Sequence, residues 1–310
     1  MKSKLIIPVI FICLSAALLL VLTPTGDDDQ LTKAKTDLLP DKANLKEDIK
    51  SSIGHIAVNI ASPAELATSI KSAGGAFSRN ILLNTDVDKY ITPKDKALAL
   101  GGIGVDLVYI NLFENRSATI VPLNQIRKLS NDLYLSQYFD FESLKKLATT
   151  SLTKKEMDSL ALMTNVRLNS IEEQMLKPGR AETGIFMIIG AWAEGLFLLT
   201  HYAQNSDSKE IIDKVAEQQI SFKELLKWLD KFQHIKEVNE ILKEIKPLKK
   251  EVLSAQIKYE KIGPPINTVD IDGNEISYRQ EISIAVIDST QLSNIARESA
   301  KFRNKIFKLN

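Results

Sequence analysis

The sequence predicts a mainly α-helical fold: a multi-helix bundle or an array of helical hairpins, with a small β-hairpin near the C-terminus. Three observations carry this reading. Apolar residues recur at spacings of three and four through most of the chain, punctuated by helix start and stop signals. Two long apolar patterns, around Gly101-Gly102-Ile103-Gly104-Val105-Asp106 and around Gly190-Ala191-Trp192-Ala193-Glu194-Gly195, each carry small residues and one carboxylate. Only after Gly263-Pro264-Pro265 does the pattern turn to alternation of the kind strands require.

The first element is Lys2 and Lys4 followed by an apolar run of 18 residues, Leu5 to Leu22, with Asp27-Asp28-Asp29 after it. At ~1.5 Å per residue such a run covers roughly 27 Å, close to the hydrocarbon thickness of a bilayer. Cations before the run and acids after it predict export, with the body beyond the cytoplasmic membrane. Residues 1–25 are read as a signal peptide or an uncleaved membrane anchor. The membrane is thus the first expected partner, and the body is inner-membrane-anchored facing the periplasm, or periplasmic or secreted after cleavage. Lipidation at Cys13 fits less well, because Ile10-Phe11-Ile12 is a poor approach to a lipidated cysteine.

Residues 26–61, polar and broken by Pro40, read as a linker, and residues 62–310 as one helical extracytoplasmic domain. Ser62-Pro63-Ala64-Glu65 is a capping box whose helix should end at Gly74-Gly75. Thr92-Pro93-Lys94-Asp95 repeats the signal and opens a central helix to about Glu114. A helix after Asn115 tolerates Pro122 only in its first turn. Asp140 caps a short segment, Phe141 to Leu147. Thr153-Lys154-Lys155-Glu156 starts a helix that Pro178-Gly179 ends. The second central helix is expected from Ala181 to Tyr202. A helix from Lys209 to Gln218 follows, and Ser221-Phe222-Lys223-Glu224 then opens a long charged helix to about Lys261, broken or kinked at Pro247. Strands are expected at Val269 to Asn274 and Ile282 to Ile287, around an Asp-Gly turn. A last amphipathic helix puts Leu292, Ile295, Ala296, Ser299, Phe302 and Ile306 on one side.

Gly102, Asp106 and Tyr109 align with Gly190, Glu194 and Phe197 at a constant offset of 88 positions. This short match suggests two related halves, 63–176 and 180–261. Residues at i, i+4 and i+7 share a helix face, so the acids lie beside glycines that admit another helix. A buried carboxylate must be paired, hydrogen-bonded or protonated. The candidate ligand-binding residues are therefore Asp106, Tyr109, Trp192, Glu194 and His201, lining a polar pocket between the central helices. The competing reading is a packing seam in which the acids only fix register.

Composition closes other routes. With one cysteine and three histidines, thiolate zinc sites and cysteine nucleophiles are excluded from the mature body, and no Ser-His-Asp spacing stands out. A metal on Asp106, Glu194 and His201 lacks the Glu-x-x-His pairs of di-iron bundles, so no metal and no cofactor is expected. A net charge of +1 argues against nucleic acid as a partner. The basic residues Arg297, Lys301, Arg303, Lys305 and Lys308 read as a solvated helix end.

Through Lys96-Ala97-Leu98-Ala99-Leu100-Gly101, Gly104-Val105-Asp106 and Gly190-Ala191-Trp192-Ala193-Glu194-Gly195-Leu196, the chain resembles a family of exported, often lipoprotein-like, all-helical bacterial envelope proteins. The resemblance implies a periplasmic or surface location and a helical domain; it implies no activity and no catalytic residues. The functional expectation is a non-enzymatic binding or scaffolding role in the cell envelope, with an envelope protein as partner. The alternative is a small-ligand or metal-binding protein with its site between the central helices.

Overall fold

The computed structural model describes residues 69–136, 181–269 and 275–309, together with Phe141. This part is mostly helical, with one pair of strands. The helices are α1 (Pro93–Leu112), α2 (Ile120–Asp132), α3 (Ala181–Ala203), α4 (Lys209–Lys231), α5 (Lys236–Glu244), α6 (Lys246–Val252) and α7 (Ser289–Ile306); β1 (Gln256–Val269) and β2 (Glu275–Val286) precede α7. The expected starts at Ser62 and Thr153, the helix to Leu176, most of the Phe141 segment and the Asp-Gly turn lie outside the described residues.

Several elements follow their local signals. Gly74 has φ +81°, and Gly75 N–H returns to Ile70 O at 2.9 Å, a left-handed stop that favours glycine. Thr92 Oγ1 accepts from Asp95 N–H with Pro93 in the first turn, so α1 begins where the threonine and proline predict. Asp288 and Gln291 cap α7 reciprocally.

Other boundaries differ from the expectation. A single helix, α4, spans Lys209–Lys231, and Ser221 sits buried inside it with its hydroxyl on Gln218 O. A serine hydroxyl can bond back along its own helix as well as cap one, and no glycine or proline breaks this stretch. The charged pattern does not stay helical to Lys261. The chain breaks after α4, again before Pro247, and becomes strand at Gln256. There Ile257 and Tyr259 alternate with Lys258 and Glu260, a period of two that a count of charges hides. Gly263-Pro264-Pro265 is not a terminator; it lies within β1, at a register shift between Ile262 and Ile266.

The core is organised on α3. Its apolar stretch Glu182–Ala203 is long and apolar enough to cross a membrane, yet 89% of its most apolar window is buried in the fold. α1 packs along it most extensively, α7 and α4 also lie against it, α2 covers α1, and α4 meets the strand pair. Ile103, Ile110, Ile185, Ile189, Leu199, Ile211, Leu225 and Ile295 are fully enclosed where these helices meet. Each such side chain contributes about 1.5–3 kcal/mol on burial.

Candidate functional site

The α1–α3 seam is closest at two glycines. A Cβ on Gly101 would lie 1.9 Å from the Met187 carbonyl oxygen, and one on Gly190 would lie 2.0 Å from that of Leu98. Each position faces the other helix's backbone, so only glycine fits. The offset of 88 positions equates Gly190 with Gly102, but its counterpart in the contact is Gly101. Gly102 instead makes room for Leu83 and the Phe307 ring.

One turn further along each helix the acids meet. Asp106 and Glu194 are both buried. Glu194 receives a bidentate pair of bonds from Arg303 of α7: Nε to Oε2 at 2.7 Å and Nη2 to Oε1 at 2.9 Å. Arg303 Nη2 also donates to Ile81 O at 2.9 Å, and the guanidinium lies 4.0 Å from the centroid of the Phe197 ring. Such a planar, fork-like, stacked arrangement suits arginine and not lysine. Asp106 Oδ2 accepts from Leu83 N–H at 2.7 Å.

The protonation states follow from this geometry. Burial pushes the Glu194 carboxyl up, but the guanidinium works against that rise, so Glu194 ionises first. Burial pushes Asp106 up much further, and the neighbouring Glu194 charge adds to it. As a carboxylate, Asp106 would leave Oδ1 buried without a partner. As an acid, it avoids placing a second buried charge beside Glu194. The cluster is one cation, one anion and one neutral acid, with Asp106 Oδ1 a buried oxygen that makes no hydrogen bond.

The remaining candidates lie among other neighbours. Tyr109 Oη accepts from Ser78 N–H at 2.9 Å and lies 2.5 Å from Tyr202 Oη, which donates to Ala76 O at 2.5 Å. Since Tyr202 gives its proton to Ala76, Tyr109 donates to Tyr202. Burial, reinforced by the Tyr109 bond, pushes ionisation of Tyr202 upward. Trp192 stacks on Phe222 of α4, with centroids 4.6 Å apart. His201 is half-buried beside Phe197 and edge-on to Tyr202; burial and then the Arg303 charge push it down. The structure therefore unites Asp106 and Glu194 and disperses Tyr109, Trp192 and His201. Among the described residues no three His, Cys, Asp or Glu side chains group as a metal would require.

Arg303, Tyr202 and Leu83 N–H are the participants that sequence reasoning missed. Arg303 does not sit on a solvated end: it is buried, and Lys308 beside it pairs with Asp95 at 2.6 Å. The signal was present in the helix period. Arg303 falls seven residues after Ala296 and four after Ser299, on the face expected to be buried. Tyr90 completes the clasp on the chain end, its hydroxyl donating to Phe307 O at 2.8 Å.

Compared with protein-family models, curated proteins and solved structures, the chain finds no match.

Proposed function

We propose that this chain is a non-enzymatic binding or scaffolding domain of the cell envelope, exported by residues 1–25 and spaced from the membrane by residues 26–61. In this reading residues 62–310 form one helical bundle around α1 and α3, and a C-terminal β-hairpin closes through Asp270 to Asn274. The observation that carries it is the burial of the seam's carboxyls and the pairing of Glu194 with Arg303. Glu194 is taken up by Arg303 and Asp106 Oδ2 by Leu83 N–H, and both carboxyls are closed off from solvent. A pocket between the central helices would need a carboxyl oxygen that a ligand could reach, so this geometry favours a rigid body that presents surfaces.

The test is fractionation of the full chain joined at its C-terminus to a reporter active only outside the cytoplasm, followed by cross-linking in intact cells. Reporter activity and a discrete cross-linked envelope species are expected. An inactive reporter would overturn the location, and cross-linking that recovers no partner under varied growth would overturn the scaffolding role. Retention of a metal or small ligand by purified protein, lost in both Asp106→Asn and Glu194→Gln variants that stay folded, would favour the pocket instead.

A further inference from the structure

We draw no further inference here: the strongest candidate, the half-buried aromatic cluster of Phe77, Phe113, Phe197, His201 and Tyr202 at the C-terminal ends of α1 and α3, is an unpartnered apolar face, and nothing in the structure shows what covers it.

Discussion

The two ends of the α1–α3 seam show how one close approach creates two different problems. At Gly101 and Gly190 the helices touch through backbone, and the contact is satisfied by leaving out two side chains. One turn on, the same proximity shuts two carboxyls away from water, and no omission can satisfy them. The solution comes from Arg303, 109 positions from Glu194 along the chain. The glycine end is specified by the two helices that make it, whereas the acid end depends on the last helix of the chain.

The sharpest way to break this contrast is Arg303→Met. Removing one partner strands a buried charge, which costs about 3–5 kcal/mol. Chemical denaturation should show that loss, and Arg303→Lys should recover only part of it, because an ammonium cannot make the bidentate pair and stack on Phe197 together. The double variant Glu194→Met with Arg303→Met should lose less than the sum of the singles. Losses below about 1 kcal/mol, the range of exposed pairs, would mean that Glu194 reaches water.

Gly190→Ala tests the other end. Its Cβ would meet the Leu98 backbone, so the helices must separate, at a cost of about 2–3 kcal/mol despite alanine's better helix propensity. Gly104→Ala is the control: it is mid-helix with nothing within 4 Å of its Cβ, and should stabilise by about 0.5–1 kcal/mol. If both variants moved the denaturation midpoint in the same direction, close approach would not be what the seam glycines provide.

How much of this the sequence discloses follows the same divide. Thr92-Pro93 and Gly74 announce their boundaries because caps and stops act on the nearest turn. The seam itself is visible in the glycine-and-acid pattern of α1 and α3. What is not visible is any choice made by distant packing. Ser221 has the chemistry of a cap and is used inside a helix. Gly263-Pro264-Pro265 has the chemistry of a terminator and becomes a bulge, because pairing with β2 tolerates it at that edge. Arg303 lies on an apolar helix face, which marks it as buried but does not say that Glu194 awaits it.

The smallest effect concerns Asp106, and its sign is informative. Its carboxyl faces Glu194, Arg303 and Leu83 N–H. In the unfolded chain it titrates near the usual value of about 3.9. Folded, burial and then the Glu194 charge hold its proton to well above that. Above the unfolded value, unfolding therefore releases a proton. The stabilisation from the neutral acid is full below about pH 4 and is lost progressively as pH rises through the folded value. Asparagine is neutral at every pH; its amide can donate to Glu194 while its oxygen accepts from Leu83. Asp106→Asn should thus change stability by less than about 1 kcal/mol near pH 5, the scale of one exchanged hydrogen bond, and gain on the parent as pH climbs. Denaturation midpoints of the two proteins across that range decide the matter. Parallel curves would mean that no proton is retained, and a variant that falls behind with rising pH would make Asp106, not Glu194, the ionised partner of Arg303.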